Sequence, residues 1–301
     1  MKDLYAEVTA RMVDALETGL VPWRKPWTLM GAHRNLTSGR EYRGINVFLT
    51  ALSAMRGGYS YPLWVTMKQA NRLGGRVRAG QRGTLVVFWQ PQVYTRKKDD
   101  GETEEQRRLV FKRYYVWNVE QVDGLVLPEI SKGAGAASHD GAEALWEAYA
   151  DKPGVFHGGG AAFYSPALDA IQMPHRATFE STAAYYQVLF HEAIHSTGAK
   201  QRLDRSTLTQ AGRFGDANYS QEELVAEMGG AMLLARSGME PSYANSAAYL
   251  RGWLKALNDD KRLVVVAAQQ AEKAARYVLN EREANESRTD ARTAASSGAD
   301  A

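Results

Sequence analysis

Residues 191–195 read His-Glu-Ala-Ile-His, and this stretch constrains the chain more than any other. At 3.6 residues per turn, positions four apart share one helix face, so a helix here points His191 and His195 the same way. Two imidazoles so placed can grip one metal ion. Glu192, one residue on, reaches the open side of that ion, where it can take a proton from water. The flanking Leu189, Phe190, Ala193 and Ile194 are apolar and put the helix inside a domain. The chain has no cysteine, so any metal must be held by His, Asp or Glu.

A catalytic zinc keeps three protein ligands and one open position. Gly198 lies three residues after His195, but the third ligand of the metzincin spacing would fall on Gln201. The remaining donors are the acids of "EELVAE", residues 222–227. Glu223 and Glu227 share a helix face, and Glu222 points about 100° away. The expectation is Glu223 as third ligand and Glu227 as a hydrogen-bond partner of a ligand histidine, with the two roles exchangeable. The expected cofactor is zinc, with manganese or another divalent ion as the alternative. Zinc would bring the pKa of its water to roughly 7 and polarise a scissile carbonyl. Glu192 would act as general base and hand the proton to the leaving amine. Tyr164 is the candidate oxyanion donor, and residues 161–173 the candidate edge strand for an extended peptide.

The first part of the chain is basic. Residues 1–130 hold 20 Lys and Arg against 13 Asp and Glu, a net of +7, while residues 131–301 hold 17 against 21, a net of −4. Between residues 21 and 98 there are 14 cations, ten aromatics and a single acid, Glu41. Cations that track phosphates among aromatics that stack bases are what single-stranded nucleic acid requires. The candidate contacts are Trp23, Arg24, Lys25, Trp27, Arg40, Tyr42, Arg43, Arg76, Arg78, Arg82 and Trp89. No apolar run of transmembrane length occurs and the N-terminus is not a secretory signal. A cytoplasmic protein with no membrane partner is expected.

The periodicities predict an α+β fold in two domains. Residues 1–128 form a nucleic-acid-binding unit, with a helix at 3–19 and a second closing the stretch "NLTSGREYRGINVFLTALSAM" after a turn and a short extended piece. Two strands, "TLVVFWQPQVY" and "RLVFKRYYVWNVEQVDGL", are joined by the charged loop "TRKKDDGETEEQ". Residues 129–140, rich in Gly, Ala and Ser, read as a linker. Residues 141–280 form a mainly helical unit with a small sheet, and helices at 177–197, 220–237, 242–257 and 259–280. Residues 281–301 read as a disordered tail.

"VPWRKPW", "REYRGINVFLT", "RAGQRGTLVVFW" and "FKRYYVWNVEQVDGL" resemble the N-terminal domain of ArdC-type antirestriction proteins, which TraC-type primases share. "YSPALDAIQMP", "FHEAIHSTG", "RLDR" and "YSQEELVAEMGGAMLLA" resemble the zincin-like metallopeptidase domain that follows it. The resemblance covers roughly residues 3–280. It implies a protein of plasmids or mobile elements that binds single-stranded DNA during conjugation and protects it from restriction. It also implies metal on His191, His195 and a Glu of "EELVAE", with Glu192 catalytic, and a likeness to SprT-like proteases, which act on protein bound to DNA. The alternative is a protein that occludes DNA without proteolysis, with a structural metal.

Overall fold

Asp3 opens the first helix by accepting a hydrogen bond from the Tyr5 amide at 3.0 Å. In the computed structural model, residues 3–24, 27–28, 31–97, 103–127, 139–209, 217–241 and 247–281 are described. The first half runs α1 (Leu4–Glu17), β1 (Trp27–Thr28), β2 (Gly31–Ala32), β3 (Arg34–Asn35), α2 (Ile45–Gly57), β4 (Leu63–Val65), α3 (Met67–Arg72), β5 (Arg76–Val77), β6 (Thr84–Lys97), β7 (Thr103–Asn118) and β8 (Val122–Asp123). The second runs α4 (His139–Ala148), β9 (Gly154–His157), β10 (Phe163–Ser165), β11 (Ala170–Met173), α5 (Thr182–Thr197), α6 (Ser206–Thr209), α7 (Ala217–Arg236), α8 (Ala247–Asp259) and α9 (Leu263–Val278). The expected α+β class is what is found.

The larger sheet has the order β3-β4-β7-β6. Its β6 edge is covered by α2, where the Asn46 amide donates to the Val87 carbonyl at 2.7 Å and accepts from the Val87 N–H at 2.8 Å. One side chain thus satisfies the edge backbone as a further strand would. The β6–β7 hairpin is longer than the sequence suggests. Pairing continues through Thr95↔Glu105, Arg96↔Glu104 and Lys97↔Thr103, inside the stretch read as a loop. Charge alone does not end a ribbon whose register sets Arg96 across from Glu104.

The smaller sheet has the order β10-β11-β9, with β9 parallel to β11 and β10 antiparallel to it. The strand β9 is not among the strands expected from the sequence. Helix α5 starts later than expected because the Ser181 hydroxyl accepts from the Ala184 N–H at 3.1 Å and sets the N-cap there. Most of the expected linker and tail, and the start of the helix expected from residue 242, lie outside the described residues. Among the described residues no helix is long and apolar enough to cross a membrane.

One core runs through both halves. Val8, Met12 and Leu16 of α1, with Trp23 and Phe48, belong to the same buried cluster as Trp253, Leu257, Val264 and Ala271 of α8 and α9. The Thr9 hydroxyl closes that contact on the Lys261 carbonyl at 2.7 Å.

His33 is sealed beside the larger sheet, with its Nδ1 accepting from Trp64 Nε1 at 3.0 Å. Its Nε2 finds no partner. Burial lowers its pKa from 6.5 to about 4. The unfolded chain therefore takes up a proton that the folded chain refuses, and stability falls as pH drops through that window. Between pH 7 and 5 the loss from His33 should be about 2 kcal/mol. His33→Gln, which keeps an acceptor for Trp64, should flatten this slope in denaturant titrations at the two pH values. An unchanged slope would show that His33 does not cause it.

Candidate metal centre

Helices α5 and α7 cross closely, and glycine is what lets them. A Cβ on Gly229 would stand 2.8 Å from Ile194 Cδ1, and one on Gly230 3.2 Å from the His191 backbone nitrogen. Ile194 is fully buried and cannot swing aside cheaply. Gly229→Ala should therefore destabilise the fold by about 1–3 kcal/mol through overpacking, although alanine is the better helix former by about 1 kcal/mol. Adding Ile194→Val should recover part of the loss in thermal melts. A stabilised single variant would refute the close crossing.

At this crossing His191 Nε2 and His195 Nε2 lie 3.2 Å apart. The two oxygens of Glu223 face them, Oε2 at 3.6 Å from His191 Nε2 and Oε1 at 3.6 Å from His195 Nε2. One donor atom from each of these three residues lies within 4.8 Å of the others. Behind each ring is another carboxylate. Glu227 Oε1 is 3.7 Å from His191 Nδ1, and Glu222 Oε1 is 3.1 Å from His195 Nδ1. The Glu222 carboxylate bonded at His195 Nδ1 fixes the tautomer that leaves Nε2 free for a metal, while Glu227 stands in ion-pair range of His191. Burial alone would lower the His191 pKa, but its bond to Glu223 and the charges of Glu227 and Glu192 raise it to about 9. Two imidazoles and a carboxylate within this span are a donor set that fits a divalent ion.

Sequence reasoning gave no role to Glu222. It sits in the most tightly bonded cluster around the centre. Arg205 donates to it from Nη2 at 2.6 Å and Nε at 3.1 Å, and Thr207 donates at 2.5 Å. Arg205 also donates to the Ile194 carbonyl at 2.7 Å and to Thr197 Oγ1 at 2.6 Å, closing the end of α5. Burial would raise the Glu222 pKa, but its bonds to His195 and Arg205 bring it down to about 2. Gly198 makes room for this arginine, since a Cβ there would lie 2.8 Å from Arg205 Nη2. The signal in the sequence was "RLDR", whose second arginine is Arg205.

Glu192 is buried beside the histidines, and its Oε2 accepts from the Tyr164 backbone N–H at 2.8 Å. That N–H points away from β11, on the open edge of the small sheet. The Tyr164 hydroxyl is a correction to the sequence reading. It donates to Asp169 Oδ1 at 2.8 Å, and Arg202 grips the same carboxylate at 2.7 and 2.9 Å. In this arrangement its one proton goes to Asp169, and the residue meets Glu192 through its backbone N–H.

The basic block divides. Trp23 is 1% exposed and packs edge-on against Trp253 at 5.1 Å, and Tyr42 is buried beside Trp64. Neither ring can stack on a base, because the core uses both. Burial raises the Tyr42 pKa to about 12. Arg24, Arg40, Arg43, Arg76, Arg78 and Arg82 are exposed. Of these, Arg78 bonds Asp123 at 3.2 Å and the Glu120 carbonyl at 2.5 Å. Trp89 is 40% exposed and stacks on Phe111 at 4.6 Å. Lys25 lies outside the described residues, as does the side chain of Trp27. Exposed Phe88 and Tyr114, which the sequence reading did not single out, lie on the opposite face of the hairpin from Trp89.

The family model for the N-terminal domain of anti-restriction factor ArdC matches residues 2–117, and that for a zincin-like metallopeptidase matches residues 141–270. The chain is 36% identical to protein y4eC of Sinorhizobium fredii (strain NBRC 101917 / NGR234), over 92% of this chain and 91% of that one. It is 32% identical to DNA primase TraC of Escherichia coli over 92% of this chain, which spans only 27% of the primase. The metal-free crystal structure of antirestriction ArdC from plasmid R388 superposes with a TM-score of 0.75 at 40% identity, covering 92% of this chain and 96% of that one. Its Mn(II)-bound structure gives 0.73 at 41% identity, covering 94% and 99%. With both of its characteristic segments present in order, and a solved relative matched along nearly its whole length, the chain belongs to the ArdC family of antirestriction proteins.

Proposed function

We propose that this antirestriction protein is a zinc-dependent peptidase that binds single-stranded DNA and acts on protein associated with it, shielding entering DNA from host restriction. The observation that carries the reading is the convergence of His191, His195 and Glu223 beside Glu192. Two imidazoles and one carboxylate are a zinc hydrolase donor set, and the manganese-bound R388 protein supports a divalent ion, with manganese as the alternative. Zinc, when bound, supplies a Lewis acid for the scissile carbonyl and acidifies a neighbouring water. Glu192 takes the proton of the attacking water on Oε1, since Oε2 is held by the Tyr164 N–H, and returns it to the leaving amine. The outer edge of β10, whose Tyr164 N–H is already held by Glu192, is where a peptide would align by strand addition. Glu227 and Glu222 hold the rings of His191 and His195 from behind.

In this reading residues 1–128 bind the strand through the exposed arginines Arg24, Arg40, Arg76 and Arg82, residues 129–140 link, and residues 141–280 carry the peptidase, all in the cytoplasm where DNA arrives. Glu192→Gln tests it, because glutamine keeps an acceptor for the Tyr164 N–H. The variant should keep its metal and its binding to single-stranded DNA. Peptide hydrolysis should fall by about 10²–10⁴-fold, and protection from restriction should be lost with it. Protection that survives the substitution would mean that the chain works by coating DNA and that its metal is structural.

A further inference from the structure

Away from the metal centre, the outer side of the hairpin carries a groove of about 1010 Å³ lined by Arg40, Arg43, Phe88, Tyr114 and, from α9, Gln269 and Glu272. A second cavity of about 590 Å³ adjoins it, lined by Lys273, Arg276 and Tyr277 and by two paired carboxylates, Asp151 with the Tyr277 hydroxyl and Glu281 with Arg276. Arg43, Gln269 and Glu272 line both, so they stand at the junction. Phe88 and Tyr114 are 42% and 36% exposed and meet edge-on at 5.7 Å, with ring surface open to the groove. Such surface accepts any base, because every base has a π-face.

The junction is closed by a carboxylate. Glu272 Oε2 accepts from the Gly44 N–H at 2.6 Å, and its Oε1 lies 3.6 Å from Arg43 Nε. Gly44 is the N-cap of α2 and has no side-chain oxygen of its own to cap that helix. Glu272, 228 residues away in sequence, supplies the missing negative charge. A backbone N–H at a helix start beside an arginine is also what a phosphate oxygen seeks. The other carboxylate of the groove, Glu41, is likewise paired, to Arg236 at 2.9 Å.

We infer that the two cavities form one path for single-stranded nucleic acid, in which Glu272 stands in for a backbone phosphate and is displaced when the strand enters. The inference rests on the proposed DNA binding and adds where the strand runs. Bases stack on Phe88 and Tyr114, phosphates meet Arg40, Arg43 and the Gly44 amide, and the path continues to Lys273 and Arg276 on α9. The strand thus crosses from the ArdC-type segment onto the peptidase segment. Helix α9 packs directly against α7, which carries Glu223, so strand and metal centre press on neighbouring helices. Burial holds the Glu272 pKa above its ordinary range, so the carboxylate is held at this junction against a solvation cost that its removal relieves.

The test is fluorescence anisotropy with a labelled oligothymidylate and a duplex control, across a salt series, with thermal melts to check folding. Glu272→Gln keeps the acceptor for Gly44 and removes the competing charge, so it should bind the single strand about fivefold or more tightly at low salt. Phe88→Ala should weaken binding by about tenfold. Lys273→Ala should weaken it and lower the salt slope by about one. If the wild type binds and all three folded variants match it, this path is overturned while DNA binding elsewhere stands. A wild type that binds no oligothymidylate removes the DNA reading and the path together, and preference for the duplex removes the single-strand assignment.

Discussion

Glu222→Ala is expected to cost about 3–5 kcal/mol of stability and to weaken metal binding by about 10–100-fold. The stability loss comes from Arg205. Its guanidinium is 3% exposed and spends two of its donors on Glu222, and a buried charge left without its partner is that costly. The metal effect comes from His195, whose Nδ1 loses the acceptor that fixes its tautomer. Denaturant titration and metal titration on the same samples separate the two. Glu222→Gln retains an acceptor for His195 and should keep more of the metal affinity than of the stability. If Glu222→Ala unfolds at the wild-type denaturant concentration, the Arg205 cluster is not the anchor described here. The pKa of Glu222, brought down to about 2, also sets a pH limit. Its contribution is complete above the ordinary carboxylate pKa and is lost as pH falls from there toward 2.

The second large effect is on the metal itself. His195→Ala removes one of three protein donors. If these share an apparent binding free energy of about 10–16 kcal/mol, the loss is about 3–5 kcal/mol, or two to four decades in affinity. Elemental analysis of purified protein should give about one metal per chain for the wild type and almost none for the variant. Loading should also release protons, because His191 holds one at neutral pH in the metal-free state. Affinity should therefore fall as pH is lowered from about 9, and keep falling below neutrality. Equal metal content in wild type and variant would remove His195 from the site.

Much of this centre was legible in the sequence because helical periodicity is strict. His191, His195, Glu223 and Glu227 are each related by four-residue steps on two helices, and those steps alone fix shared faces. What the periodicity could not carry was the angle at which the helices cross. That angle turns Glu222 toward the back of His195 and brings Arg205 in from another loop, and it depends on the volumes of Gly198, Gly229 and Gly230. Tyr164 failed for a related reason. Strand alternation says which side a residue faces, not which acceptor claims its hydroxyl, and here Asp169 five residues later accepts it at 2.8 Å. In the basic block, composition registered the aromatics but not their burial. Trp23 and Tyr42 went into the core while Phe88 and Tyr114 stayed outside, a division made by contacts distant in sequence.

The core shared between α1 and the pair α8–α9 bears on how such chains are inherited. Neither matched segment can be lifted out without baring an apolar face that the other covers, so each is expected to unfold when its companion is deleted, and the intact chain to melt in one cooperative step. Selection then acts on the pair as one heritable cassette. The match to a primase more than three times longer, which still spans 92% of this chain, is what such a cassette would leave when it is fused whole to other machinery.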